Sequence, residues 1–136
     1  MRKIIKYLVF LPIFVLGCSA TGSIEKKQKL LQETASTYYN LFMWKSYEKA
    51  SLFIDEDKKG NFERFLFDSK DDLNITNYEI REVTFNSVEN KGLVRVLISY
   101  YKYPSVSEKT ILLQDPWILR GKGWYLYSDF NEEIYK

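Results

Sequence analysis

Residues 93–103 read Leu-Val-Arg-Val-Leu-Ile-Ser-Tyr-Tyr-Lys-Tyr. In an extended chain successive side chains point to opposite faces, so Val94, Val96, Ile98 and Tyr100 share one side and Leu93, Leu97 and Tyr101 the other. A strand that is apolar on both faces belongs in the middle of a sheet, covered on each side or wrapped into a curve.

Upstream of this run, Thr76, Tyr78 and Ile80 alternate with polar neighbours, and Val83 and Phe85 resume on the opposite parity. One extra residue at Arg81 or Glu82, a β-bulge, keeps both sets on one face and bends the strand. Asn90 to Gly92 is a turn signal between the two strands. Downstream, Pro104 and Ser105 mark the next turn and Val106 to Leu119 reads as a third long strand. Gly121-Lys122-Gly123 then turns a hairpin into Trp124 to Ser128.

The residues before the strands carry a different period. From Ile24 to Trp44 there is no Gly or Pro, and Leu31, Ala35, Tyr38 and Phe42 recur at three- and four-residue intervals, the stripe of an amphipathic helix with Ser23 as its N-cap. Ser46 to Ile54 is again helix-like, Asp55 to Gly60 is a charged turn, and Asn61 to Phe67 is a short helix capped by Asn61. Phe62, Phe65 and Leu66 face inward from it. Helices first and antiparallel strands after them predict an α+β domain over residues 24–136. A long N-terminal helix and one or two short helices pack on a curved antiparallel sheet of about four strands.

The first twenty residues follow another logic. Arg2, Lys3 and Lys6 precede an apolar run that ends at Leu16, too short to span a bilayer, which takes roughly 20 residues. Val15-Leu16-Gly17-Cys18 follows, and it resembles the bacterial lipobox, in which a small residue precedes a cysteine that is acylated and exposed by cleavage. The resemblance implies a signal peptide over 1–17, cleavage between Gly17 and Cys18, and palmitate-type acyl chains on Cys18 that hold the protein on a membrane. Ser19 resembles the residue found in lipoproteins that diderm bacteria forward to the outer membrane, which implies a periplasm-facing protein in such a host. Residues 18–23 form the lipidated cysteine and a short tether of small residues, about 17 Å if fully extended at roughly 3.4 Å per residue.

Loss of Arg2, Lys3 and Lys6 takes the basic count from 20 to 17 against 18 acidic residues, and the formal charge from +2 to −1. A near-neutral domain is a poor match for nucleic acid, which needs a concentrated basic surface. With one cysteine and no histidine the chain forms no internal disulfide and no thiolate or thiolate–histidine metal site. Asp55-Glu56-Asp57 and Asp71-Asp72 lack the alternation of oxygen ligands that a compact calcium loop uses, so solvated turns are expected there, and neither a metal nor a cofactor is expected. Arg81 and Arg95, inside strands, call for acidic partners, with Glu79 or Glu108 the simplest choices.

The order of a long helix, short helices, three long strands and a short one resembles the nuclear transport factor 2-like fold, or cystatin-like cone, of ketosteroid isomerase and scytalone dehydratase. Trp117-Ile118-Leu119 followed by Gly121-Lys122-Gly123-Trp124 is similar to that superfamily's frequent ending, and the resemblance covers Ile24 to Phe130. It implies a cone with a concave pocket, for which Tyr39, Phe42, Trp44, Tyr78, Tyr100, Trp117 and Trp124 are the lining candidates. Enzymes of the superfamily use an aspartate, or a histidine–aspartate pair, with a tyrosine that donates to an oxyanion.

Here the histidine is missing, and Asp115 and Glu48 are the carboxylates embedded in apolar sequence. The expectation is therefore a non-catalytic, lipid-anchored envelope protein that binds a partner protein or an apolar small ligand near the membrane. Two other readings compete with it. One is a small isomerase or dehydratase with a buried carboxylate and tyrosine; the other is an adaptor that makes protein contacts through an open sheet face or edge strand.

Overall fold

A computed structural model describes residues 19–136. Gly17, Cys18 and the signal segment lie outside the described residues, as do the expectations that fall on them. The elements are α1 (Ser19–Met43), α2 (Tyr47–Ala50), α3 (Lys59–Ser69), β1 (Leu73–Asn86), β2 (Lys91–Lys102), β3 (Lys109–Arg120) and β4 (Gly123–Leu126). Single 3-10 turns cover Ser51–Phe53, Glu56–Lys58 and Glu132–Ile134. The strands form one antiparallel sheet in the order β1-β2-β3-β4, curled into a half-barrel around the helices. The α+β architecture is thus the one that the two periodicities dictate.

Leu31, Ala35, Tyr38 and Phe42, the stripe of α1, are all buried, and Tyr39 widens it. Opposite them stand Val94, Val96, Ile98 and Tyr100 of the central strand β2, each of them buried. The outer side chains of β2, Leu93 and Leu97 among them, stay only half-buried, so curvature rather than a second layer accommodates this doubly apolar strand. From β3, Leu113, Asp115 and Trp117 pair with Val96, Val94 and Gly92, which puts all three on the inner face.

The register of β1 breaks twice. The slip between Ile80 and Glu82 makes Arg81 the extra residue, as the parity change predicts, and a second slip between Ile75 and Asn77 makes Thr76 another. Thr76 is therefore not in line with Tyr78 and Ile80 on the inner face; Ile75 takes that place opposite Tyr100. Two bulges in one edge strand bend it around α1 and interrupt the free edge.

Several boundaries differ from expectation, each for a local reason. The first helix already runs at Ser19, so Ser23 lies inside it and is not its cap, and Ser19 to Ser23 are helical rather than a loose tether. The third helix starts at Lys59 because the 3-10 turn Glu56–Lys58 feeds directly into it. The cap of that turn is Asp55, which accepts from Asp57 N–H, and Asn61 instead donates through Nδ2 to the Asp129 carbonyl. Leu52 is exposed because the second helix tightens to a 3-10 turn after Ala50.

Gly92 is a strand residue opposite Phe85 and Trp117, not part of the turn; a Cβ there would run into Leu31 and crowd Trp124. Gly121, with φ +62, occupies the first of the two turn positions between Arg120 and Gly123, where hairpin turns require a positive φ.

The strand charges pair locally. Arg95 binds Glu82 at 3.0 Å across the β1–β2 ladder, and Arg81 meets Glu79 at 3.4 Å along its own strand. Glu108 is not an arginine partner: it accepts from the Thr76 hydroxyl at 2.8 Å. Asp55, 3% exposed, binds the Arg120 side chain across the molecule, with Nε to Oδ1 at 2.5 Å.

Candidate functional site

Period-two geometry sends the Asp115 side chain inward from β3, between Leu113 and Trp117. The neighbouring Pro116 is tolerated because β4 covers β3 only from Trp117 onward, leaving this residue at the edge of the cover. Across the concave space, α1 presents Tyr39, whose hydroxyl donates to Asp115 Oδ2 at 2.5 Å. The Trp117 indole N–H is buried and makes no full hydrogen bond among the described residues; it lies near enough to the Tyr39 oxygen to favour the phenolate slightly.

Asp115, only partly covered by area, is flanked by aromatic and aliphatic groups, and this desolvation pushes its pKa up to about 6, with the Tyr39 hydrogen bond pulling the other way. The phenols of Tyr38, Tyr39 and Tyr135 are raised as well, first by burial and then by the Asp115 charge. A carboxyl that titrates near neutrality beside a phenol can accept a proton or hold a hydrogen-bond donor.

The space in front of this pair is small. A cavity of about 30 Å³ is walled by Tyr38, Tyr39 and Phe42 of α1, by Phe65 of α3, and by Ile98, Leu113 and Asp115 of the sheet. Its remaining wall is the C-terminal tail, through Ser128, Phe130, Asn131, Ile134 and Tyr135. One or two waters fill such a volume, so an organic ligand does not fit while the tail is in place.

The seven aromatic lining candidates are spread over the molecule. Tyr39 and Phe42 border the cavity. Tyr100 is buried beyond it, donating to the Lys136 carbonyl at 3.0 Å. Trp117 packs edge-on against Tyr38, and Trp124, at the other end of α1, donates to the Lys27 carbonyl and meets Phe85 edge to face. Tyr78 is half-buried on the outer side of α1, bonded to Ser36. Trp44 lines no interior: it is 73% exposed in the turn just past the end of α1, where a two-residue step from Phe42 carries it away from the buried stripe. Glu48 is exposed on α2.

Tyr38, Phe65, Phe130 and Tyr135 also border the cavity, and of these Phe65 is on the inward face expected of the third helix. The helical stripe already contained Tyr38, whereas nothing periodic marks Phe130 or Tyr135. Among the described residues no group of three acidic, His or Cys side chains is arranged to hold a metal ion, and no helix is long and apolar enough to cross a membrane. No family model, no curated protein and no solved structure matches the chain.

Proposed function

We propose that this protein is a lipid-anchored, non-catalytic lipoprotein of the cell envelope, held by acyl chains on Cys18 and facing the periplasm from the outer membrane if the host is diderm. Its α+β domain, in this proposal of the nuclear transport factor 2-like type, binds a partner protein or an apolar small molecule near that surface without a cofactor. Anchoring draws its support from the basic start, the short apolar run and the Gly17-Cys18 junction. The observation that carries the non-catalytic half is the interior with the tail in place, which leaves about 30 Å³ beside Asp115 and holds no histidine to serve as base.

Labelled palmitate incorporation tests the anchor. It is expected in the wild-type chain and lost in Cys18→Ala; equal labelling of both would remove the proposal. Ser19→Asp is expected to shift the protein toward the inner-membrane fraction of a diderm host, and an unmoved protein would remove the sorting step.

One observation favours a second reading. The Asp115 carboxyl, raised toward neutrality and bonded to Tyr39, is the acid and phenol pair that an isomerase or dehydratase requires. Such an enzyme exchanges a substrate's α-proton with solvent, so deuterium incorporation into cyclic ketones by the wild type and not by Asp115→Asn would support it. No exchange by either protein would dismiss it.

A further inference from the structure

The cavity has two kinds of wall. One belongs to α1, α3 and the sheet, which the backbone ladders hold; the other is the segment after β4, held in a different way. Tyr127 N–H still bonds the Pro116 carbonyl, but among the described residues no backbone N–H from Ser128 onward reaches a backbone carbonyl outside the tail. Side chains hold it instead. Asn61 donates to the Asp129 carbonyl, Lys58 pairs with the Asp129 carboxylate, and Tyr100 and Lys109 donate to the Lys136 carbonyl.

Phe130 rests on Phe62 and Phe65 with ring centroids 5.0 and 5.9 Å away, while its own backbone has φ +51, a conformation that bulky residues avoid. A segment attached only by side chains and bent through a disfavoured residue can leave without breaking the sheet.

What the tail places in the concave space is also specific. The Tyr135 ring stands edge to face on Tyr100 at 5.1 Å and lies 5.9 Å from Phe65, so the slot is already fitted to a phenol. Asp115 uses Oδ2 for Tyr39, and its Oδ1 accepts no hydrogen bond among the described residues. The scaffold wall thus offers aromatic surfaces and one free acceptor.

We propose that residues 128–136 are a displaceable plug, and that the space they fill is a binding site for a small aromatic molecule with a hydrogen-bond-donating head group. The ligand's ring replaces Tyr135 against Phe65 and Tyr100, and its head group donates to Asp115. This goes beyond the proposed anchoring and stands apart from it, because acylation of Cys18 enters neither arm of the test; ligand binding without turnover also separates it from the enzyme reading.

The probe is p-cresol, the tyrosine side chain as a free molecule, with toluene as its counterpart lacking the donor. Each is titrated into the full chain and followed by NMR shifts and amide exchange. The latch is loosened by Asn61→Ala with Asp129→Ala, neither of which borders the cavity, and by Asp129→Ala alone should the pair fail to fold.

Since apparent affinity scales with the fraction of open protein, p-cresol is expected to bind the unlatched chain about fivefold more tightly than the wild type. Binding should speed exchange of the 128–136 amides, and toluene should bind more weakly. Equal affinity for both chains, no binding to either, or binding that leaves tail exchange unchanged would overturn the plug. Toluene binding as tightly as p-cresol would overturn the role given to Asp115.

Discussion

Lowering the pH from about 7 to about 4.5 should make this protein more stable, contrary to the usual behaviour of paired carboxylates. The cause is Asp115, whose pKa rises from 3.8 to about 6 on folding because burial disfavours its charge. The folded chain then binds more protons than the unfolded one between those values, so stability falls as pH rises through that window. At 1.36 kcal/mol per unit, the full effect is about 3 kcal/mol, of which about 2 is recovered by pH 4.5.

With a urea dependence of about 1.5 kcal/mol/M, the unfolding midpoint should rise by about 1.3 M between the two pH values. Asp115→Asn keeps an acceptor for Tyr39 and does not titrate, so subtracting its profile isolates the carboxyl. An identical rise in wild type and variant, or a flat difference between them, would refute the reasoning and mean that water reaches Asp115 freely.

Asp55 works in the opposite sense: Arg120 holds its pKa below the ordinary carboxylate range, so its contribution is present above that range and lost as pH falls through the lowered value. Arg120→Ala should cost about 1–3 kcal/mol near neutral pH and progressively less in strong acid, read by chemical denaturation. Tyr39→Phe removes the only hydrogen bond to Asp115 among the described residues, and should raise the Asp115 pKa further and steepen the pH profile, measured by carboxyl NMR titration. Gly92→Ala should destabilise the fold by about 1–3 kcal/mol through its overlap with Leu31. Trp117→Ala should cost about 3–5 kcal/mol and Trp44→Ala less than about 0.5, a contrast in thermal unfolding that follows their burial.

Much of the scaffold could be read from two periods. The stripe Leu31, Ala35, Tyr38 and Phe42 marks the buried face of α1, and the shift in parity near Arg81 marks a bulge. The bulge at Thr76 carries the same kind of mark, since Leu73 and Ile75 fall out of phase with Tyr78 and Ile80, but a threonine fits a strand on either parity and hides it. The aromatic character of Trp44 suggests an inward position, but its spacing from Phe42 points outward.

Charge partners depend on register. Once each bulge shifts β1 by a residue, Glu82 rather than Glu108 meets Arg95. For the candidate site, the inward direction of Asp115 follows from its alternation with Leu113 and Trp117. The tail from Ser128 to Lys136 has no period, and its contacts with Phe62, Phe65 and Tyr100 are distant in sequence, so no local pattern reveals it as a wall.

The first helix is continuous from Ser19 to Met43. Among the described residues, the earliest with a hydrogen bond to the sheet are Lys27 and Gln28, whose partners are Trp124 and Val83. About two helical turns, near 12 Å at 1.5 Å per residue, therefore stand out from the body as a stiff post. If Cys18 is embedded in a leaflet and the helix runs back to it, torque on the domain passes straight into the acylated residue. The chain would then present a restricted set of faces to whatever approaches along the bilayer.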